Sequence, residues 1–373
     1  MRVVIAPDKF KGTLPAKEVA DAIAAGFRRA VPGVETLECP IADGGDGTVA
    51  AAVAAGFTHV AVAATGPTGE RVASGYARHG DTAVVELAAV SGLSLLPGGT
   101  PAPLTATTIG VGELVGHALA DGCTRIVLGL GGSASTDGGA GMLQALGVRL
   151  LDSEGRDLPP GGKALPTLAR VDLSGLDPRV RAAEVVVASD VDNPLLGEHG
   201  AAAVYGPQKG ADADQVGMLE SALAHFADVV DPRAAALPGA GAAGGTGYAA
   251  LVVLGARFRP GIDVVLEMTG FQDMLRGADL VVTGEGSFDE QTLRGKGPAG
   301  IATAARARGI PVVAITGHLA LAPEVLAQHG FSGAYGLTGM EPDVHRCMTQ
   351  TAELLEQLAV KVAAERLYQS DQK

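Results

Sequence analysis

The chain has 373 residues, 47% hydrophobic and 18% charged, which is typical of a folded globular protein and too long for a single core. Its net charge of −13 argues against non-specific binding to nucleic acid or to an acidic membrane surface, and no apolar run is long enough to predict a membrane span. The three cysteines lie far apart and form no CxxC pair, which excludes a disulfide framework or a zinc site. We therefore expect a soluble, cytoplasmic protein of two domains, without nucleic-acid or membrane partners.

Strands and helices alternate at the beginning of the chain. Val3–Ala6 predicts a buried strand, Glu18–Val31 a helix and Glu35–Cys39 a second strand. A small alanine-rich helix follows and ends near Ala55. This alternation is typical of a parallel α/β sheet.

The pattern changes between about residues 58 and 87. Three short runs are separated by GPTGE and HGDT and predict antiparallel hairpins; they are His59–Ala63, Arg71–Arg78 and Ala83–Glu86. A second subdomain is therefore expected to begin near residue 60. The segment from Pro97 to Thr108, PGGTPAPLTATT, is the most linker-like part of the chain.

Further apolar runs continue the α/β pattern towards the C-terminus. The predicted strands are Ile126–Leu128, Val185–Ala188, Leu280–Thr283 and Val312–Ile315. The predicted helices begin near Thr108 and span Gln215–Val229, Ala299–Arg308 and Val344–Leu367.

The stretch from Ile126 to Gly147 predicts a strand, a glycine turn and a helix. Five glycines, three hydroxyls and Asp137 lie within eleven residues of it. Glycine turns expose backbone N–H groups and a helix start adds partial positive charge, so this stretch favours a phosphate site. The alternative is a tight turn capped by Ser or Thr, with no ligand.

Charged and polar residues follow four other predicted strands. Because ligands of open α/β sheets bind outside the carboxyl ends of the strands, these loops are candidate sites. They carry Asp8, Lys9 and Lys11; Asp43 and Asp46; Asp190, Asp192 and Asn193; and Glu285, Asp289 and Lys296. Carboxylates and lysines around a phosphate cradle are what phosphoryl transfer with Mg²⁺ requires.

The position of each candidate residue after its strand suggests a role for it, and for some residues a second interpretation stays open. Asp190 directly follows a buried strand and is predicted to be the general base. Lys9 and Lys11 would offset the acidity of the chain at an anion, although Lys11 could equally lie on the surface. Asp192 is either a metal ligand or a turn residue, and the segment YGPQKGA, with Gln208 and Lys209, either contacts substrate or forms a turn.

The sequence lacks the motifs of several large enzyme classes, which argues against those classes. The sequence contains no GxxxxGK[ST], no HRD and DFG set, no HExxH and no GxSxG. GLGGSA, which begins at Gly129, matches a weak dinucleotide fingerprint and leaves a nicotinamide-dependent oxidoreductase as an alternative. A solute-binding protein of two α/β lobes is another alternative, but it would need an export signal, and none is found before the first strand.

Seven blocks, in this order along the chain, resemble the bacterial glycerate kinases of type I. They are APDKFKG, ADGGDGT, GLGGSASTDGGAGMLQALG, SDVDNPLLG, GPQKGA, PGAGAAGGTG and TGEGSFDEQTLRGKGPAG. The resemblance runs from residue 1 to about 360. It implies phosphorylation of D-glycerate by ATP with Mg²⁺, by a monomer or homodimer.

The resemblance also implies an α/β fold of two domains. We expect a discontinuous Rossmann-like domain with a mainly parallel sheet, residues 1–60 and 275–373. Residues 61–274 would form an inserted mixed α/β domain with antiparallel hairpins, and the active site would lie between the two.

Carried onto this chain, the blocks assemble one set of candidate residues, whose roles are our hypotheses. The catalytic candidates are Asp190, Lys9 and Lys11, and the metal ligands Asp137, Asp192 and Asp289. The ATP and phosphate candidates are Gly131, Gly132, Ser133, Ser135, Thr136 and Lys296. The substrate candidates are Asp43, Asp46, Asn193, Gln208, Lys209 and Glu285.

One position departs from the family pattern. The family commonly has an arginine after GEG, where this chain has Ser287. Arg294 or Lys296 would then have to supply the cation, and a kinase for another small hydroxy acid is the nearest alternative. Residue spacing does not decide whether the 2- or the 3-hydroxyl is phosphorylated.

Overall fold

The computed structural model describes residues 1–290, 292–293 and 297–367. Its strands, in chain order, are β1 Arg2–Pro7, β2 Glu35–Glu38, β3 Thr58–Thr65, β4 Arg71–His79, β5 Thr82–Glu86, β6 Arg125–Gly129, β7 Arg149–Leu151, β8 Arg170–Asp172, β9 Glu184–Ala188, β10 Arg257–Arg259, β11 Leu280–Gly284, β12 Ser287–Phe288, β13 Val312–Thr316, β14 His318–Leu319 and β15 Gly333–Gly336.

The α-helices are α1 Ala16–Ala30, α2 Thr48–Ala54, α3 Ala88–Ser91, α4 Ile109–Ala120, α5 Ala140–Ala145, α6 Pro178–Ala182, α7 Ala201–Tyr205, α8 Ala213–Val230, α9 Ala242–Val252, α10 Gly261–Met268, α11 Phe271–Met274, α12 Gly297–Arg306, α13 Pro323–Gln328, α14 Leu337–Met340, α15 Val344–Thr349 and α16 Thr351–Leu367. No helix of the described residues is long and apolar enough to cross a bilayer.

The chain divides into two compact units. The first comprises Met1–Asp43, Ala50–Ala55 and the chain from Ile262 onward, and the second comprises Gly44–Val49 and Gly56–Gly261.

The first unit is built on a five-stranded, wholly parallel sheet in the order β15-β13-β11-β1-β2. Successive side chains of β1 point to opposite faces of this sheet. Val3 and Ile5 pack into a core formed with α1 and α16, whereas Val4 and Ala6 pack into a core formed with α10, α12 and α13. The unit is therefore a three-layer α/β/α sandwich, as the apolar runs predict.

The second unit is built on a six-stranded mixed sheet in the order β10-β9-β6-β5-β4-β3. The pairs β3–β4 and β4–β5 are antiparallel, and β5, β6, β9 and β10 are parallel. The predicted fold class, α/β with one parallel sheet and one mixed sheet carrying antiparallel hairpins, is confirmed.

Two predictions about local structure are wrong. The C-terminal helix is two helices, α15 and α16, because Gln350 has φ −119° and ψ 29°. Gln350 stands between Thr349 and Thr351, and β-branched threonines are poor helix formers whose hydroxyls compete for backbone groups; Thr351 Oγ1 donates to the carbonyl of Cys347 at 2.7 Å.

The segment predicted to be a linker belongs to the second unit, and its C-terminal half is packed into that unit. Ala106 and Thr108 are fully buried, and Ser91 Oγ donates to the carbonyl of Thr107 at 2.6 Å. Composition alone favoured a linker because proline, glycine and threonine are also the residues of tight, ordered turns.

Gly217 offers a simple test of the assignment of α8. It is exposed within the helix, its φ is not positive, and an added Cβ would meet nothing within 4 Å. We expect Gly217→Ala to raise the free energy of unfolding by about 0.5–1 kcal/mol, because alanine loses less backbone entropy in a helix. Denaturant titration measures this difference, and a loss of stability would contradict the helical assignment.

Candidate functional site

In the first unit, chemistry-bearing residues lie at the point where the strand order reverses. The chain runs from β1 outward to β2 on one side, and from β11 outward to β13 and β15 on the other. The switch point of the sheet therefore lies between β1 and β11, where open α/β sheets bind their ligands. Asp8 and Lys9 follow β1 and Glu285 follows β11, so all three stand at this point.

Asp8 is the residue held most firmly there. Its backbone N–H donates to the carbonyl of Gly284 at 2.8 Å, and the N–H of Lys9 donates to Asp8 Oδ1 at 2.6 Å. Burial and the charge of Asp43 raise the pKa of Asp8, the N–H of Lys9 opposes both, and the net pKa is about 7. The sequence placed Asp8 in a candidate loop but gave it no role, because nothing in the spacing shows that its carboxyl is partly buried beside another carboxylate.

The other predicted residues of this unit have different surroundings. Lys9, Asp43, Glu285 and Asp289 are half-buried, and Lys11 is exposed. The N–H of Thr292 donates to Asp289 Oδ1 at 3.3 Å. Lys296 and Arg294 lie outside the described residues.

In the second unit, a glycine loop lies directly on the ends of β6 and β9. A Cβ added to Gly44 would lie 2.4 Å from the carbonyl oxygen of Ala188, and one added to Gly131 would lie 2.5 Å from Gly45 Cα. Such backbone-to-backbone packing leaves no room for side chains at these positions. It accounts for Gly44, Gly129 and Gly131, whereas Asp46 and Gly132 remain exposed.

Glu86 holds that glycine loop, and the sequence analysis missed it. Glu86 is buried, and its Oε2 accepts the N–H groups of Gly47 at 3.1 Å and Val49 at 3.0 Å. It thereby satisfies backbone donors at the start of α2. An acidic residue ending an apolar strand, AVVE, is the one sequence signal that could have pointed to it.

Asp137 occupies the place predicted for a phosphate. Its carboxylate accepts the N–H groups of Gly139 at 3.0 Å and Gly141 at 3.2 Å, at the start of α5. It also accepts the N–H and the hydroxyl of Thr108, at 2.9 and 2.8 Å. Asp137 is fully buried, so this geometry favours an internal anion that caps α5 over the metal ligand predicted.

The position of the Asp137 carboxylate also argues against the interpretation of GLGGSA as a dinucleotide-binding motif. A dinucleotide would place its pyrophosphate at the N-terminus of the helix that follows the glycines. The carboxylate of Asp137 already fills that position.

The predicted hydroxyl cradle lies inside the second unit. Ser135 and Thr136 are fully buried and Ser133 is nearly so, whereas Gly131 and Gly132 are accessible. The strand-to-helix connection thus turns its hydroxyls inward, and its backbone at the two glycines is the part that a phosphate could reach.

Lys209 is an internal residue rather than a surface one. It is 2% exposed, and its Nζ donates to the carbonyl of Ser135 at 2.5 Å. Burial lowers the pKa of Lys209 to about 7, and the carboxylate of Asp137 partly offsets this. The arrangement favours support of the Ser135 loop over the substrate contact predicted.

The loop after β9 carries the remaining candidates. Asp190 is exposed, and its Oδ1 accepts the N–H of Gly261 at 2.9 Å. Asn193 donates from Nδ2 to the carbonyl of His199 and accepts at Oδ1 from the hydroxyl of Tyr205, both at 2.7 Å. Asn193 therefore braces its own loop, while Asp192 and Gln208 are exposed.

The residues predicted as metal ligands, Asp137, Asp192 and Asp289, have different surroundings. Within the described part of the chain, no group of three or more His, Cys, Asp or Glu side chains could hold a metal ion. Asp137 is engaged in internal hydrogen bonds, whereas Asp289 is half-buried in the first unit and Asp192 is exposed in the second. A single carboxylate of this kind suits a Mg²⁺ ion that keeps its waters and the phosphates of a nucleotide.

Comparison with known proteins places the whole chain in one family. Residues 3–367 match the model of the glycerate kinase family. The chain is 45% identical to a glycerate kinase of Bacillus subtilis (strain 168), covering 98% of this chain and 97% of the relative. It is 44% identical to a glycerate 2-kinase of Escherichia coli (strain K12), covering 90% of each.

A solved structure agrees with this result. The crystal structure of a protein assigned as glycerate kinase 2, from Salmonella typhimurium LT2, superposes with a TM-score of 0.85 at 43% identity and covers 100% of both chains. The sequence matches and the fold of the solved structure indicate the same family. The chain therefore belongs to the glycerate kinase family.

Proposed function

We propose that this protein transfers the γ-phosphoryl group of ATP to D-glycerate, as a member of the first type of the family. The observation that carries the proposal is the group of charged residues at the switch point of the first unit, Asp8, Lys9, Asp43 and Glu285. Carboxylates beside a lysine at the carboxyl edge of a parallel sheet suit a reaction that moves a phosphoryl group onto a hydroxyl. Family membership supplies the substrate class.

The product we propose is 2-phosphoglycerate. The relative from Escherichia coli is named a glycerate 2-kinase and is 44% identical to this chain over 346 aligned residues. Transfer to the 3-hydroxyl is the competing outcome, because the hydroxyl that reacts is the one held in line with the γ-phosphate.

Mg²⁺ would arrive with the triphosphate and supply charge neutralisation of the transferred group. Asp289, a half-buried carboxylate of the first unit, is the predicted ligand that we propose for it. The exposed backbone at Gly131 and Gly132 is our proposed contact for nucleotide phosphate, since glycine N–H groups can approach an anion closely.

A product assay tests the proposal. The protein is incubated with ATP, Mg²⁺ and D-glycerate, and phosphorus NMR locates the new phosphate. We expect the signal of 2-phosphoglycerate, whereas a 3-phosphoglycerate signal would change the regiochemistry and keep the enzyme class. Turnover of another small hydroxy acid but not of D-glycerate would contradict the substrate, with Ser287 as the first position to examine.

Lys9 is expected to hold an anionic group of ATP or glycerate. We predict that Lys9→Ala raises the KM of one of the two substrates by about tenfold or more, because a charge-assisted contact is worth about 1.5–3 kcal/mol. Lys361→Ala, at an exposed position of α16, is the matched control and should leave both constants unchanged. Unchanged constants in Lys9→Ala would make Lys9 a surface residue.

A further inference from the structure

Asp8 stands where a proton-accepting group of this reaction would need to be. It directly follows β1, which lies between β11 and β2 in the sheet, and so stands at the switch point. We infer that Asp8 takes the proton from the substrate hydroxyl when the phosphoryl group is transferred. The inference rests on the proposed function and assigns this step to a residue other than Asp190.

The carboxylate of Asp8 is held in place and still reachable. Oδ1 accepts the N–H of Lys9 at 2.6 Å, which fixes the orientation of the group. Oδ2 points to the start of α12, since a Cβ added to Gly297 would lie 3.7 Å from it. Asp8 as a whole is half-buried, with Oδ1 anchored by the hydrogen bond from Lys9 and Oδ2 next to the start of α12.

The charges around Asp8 suit a group that must gain and lose a proton near neutral pH. Of the described residues, the charged groups that act on it are Asp43 after β2, Glu285 after β11 and Lys9 beside it. Two carboxylates and partial burial favour the protonated form, while the N–H and ammonium of Lys9 favour the ionised form. The result is a pKa of about 7, which is where a general base works best at neutral pH.

Asp190 is less suited to this step. Its Oδ1 accepts the N–H of Gly261 at 2.9 Å, a bond to the first residue of α10. Asp190 itself is exposed on the loop after β9. We therefore give Asp190 a capping role.

The step balances without any further reactant. A lone pair of the substrate hydroxyl oxygen forms the new bond to the γ-phosphorus, and the bond from that phosphorus to the bridging oxygen breaks with its electron pair leaving on ADP. The O–H bond breaks and its proton passes to the carboxylate of Asp8. Water removes the proton before the next turnover.

The test compares kcat/KM against pH for the wild type, Asp8→Asn and Asp190→Asn, with whichever hydroxy acid the wild type phosphorylates. We expect kcat/KM of the wild type to fall tenfold per pH unit below about pH 7. Asp8→Asn should lower kcat by roughly 100-fold or more and lose this acid limb, with the KM for ATP changed by less than about threefold. Asp190→Asn should keep the limb.

Controls separate a chemical role from a structural one. Asp8→Glu restores a carboxyl and should recover part of kcat together with the acid limb. Asp8→Asn should unfold at a denaturant midpoint no lower than that of the wild type at pH 8. If Asp8→Asn keeps kcat within about fivefold and retains the limb, or if Asp190→Asn is the variant that loses it, the assignment to Asp8 is overturned. Absence of wild-type turnover on any hydroxy acid would instead contradict the proposed function.

Discussion

Replacing Asp137 with alanine is expected to lower the free energy of unfolding by about 3–5 kcal/mol. The carboxylate satisfies four donors within the second unit, two on Thr108 and the N–H groups of Gly139 and Gly141. Each buried donor left without a partner costs about 1–3 kcal/mol, and the variant also leaves the ammonium of Lys209 without its nearby anion.

Denaturant unfolding followed by circular dichroism measures this loss. Asp157→Ala is the matched control, because Asp157 is exposed and pairs with Arg149 at the surface of the same unit. It should have little effect. A loss of less than about 1 kcal/mol in Asp137→Ala would mean that the donors find other partners, which would reopen a ligand-binding role for Asp137.

Replacing Asp8 with asparagine is expected to stabilise the protein at alkaline pH while it removes activity. The pKa of Asp8 is about 7 in the folded chain against 3.8 for an ordinary aspartate, so the folded state holds the proton more tightly. Stability from this group is therefore fully present below about pH 4 and is lost as the pH rises through 7. Asp8→Asn cannot ionise and escapes the loss, so its advantage over the wild type should grow by about 2–4 kcal/mol between pH 4 and pH 8.

Unfolding free energies of the wild type and Asp8→Asn, measured at several pH values, test whether the advantage of the variant grows as the pH rises. Asp43→Asn is an informative companion, because removal of that charge should lower the pKa of Asp8 and flatten the wild-type slope. A difference between wild type and Asp8→Asn that does not change with pH would show that Asp8 is ionised normally. Active sites commonly lower the stability of a protein in this way, because a catalytic carboxyl is held in surroundings that disfavour its ionised form.

Much of the fold could be predicted from local pattern. The apolar runs at Val3, Ile126, Val185, Leu280 and Val312 each became a buried strand, since a run of that length suits a parallel sheet covered on both faces. The family motifs lie at the strand ends because glycine turns and charged side chains gather where the backbone leaves the sheet. The sequence therefore determined the α/β class, the family and which loops carry polar chemistry.

Only the tertiary structure decided what each polar side chain does. Asp137 and Lys209 appeared as ligand-binding residues because sequence spacing does not show burial. Their partners lie 29 residues away at Thr108 and 74 residues away at Ser135. In the same way, Asp8 and Asp190 both follow buried strands, but Asp8 lies beside the charge of Asp43, whereas Asp190 accepts the N–H of Gly261. A pattern along the chain specifies where a residue leaves a strand, whereas the desolvation and the hydrogen bonds that set its protonation come from residues distant in sequence.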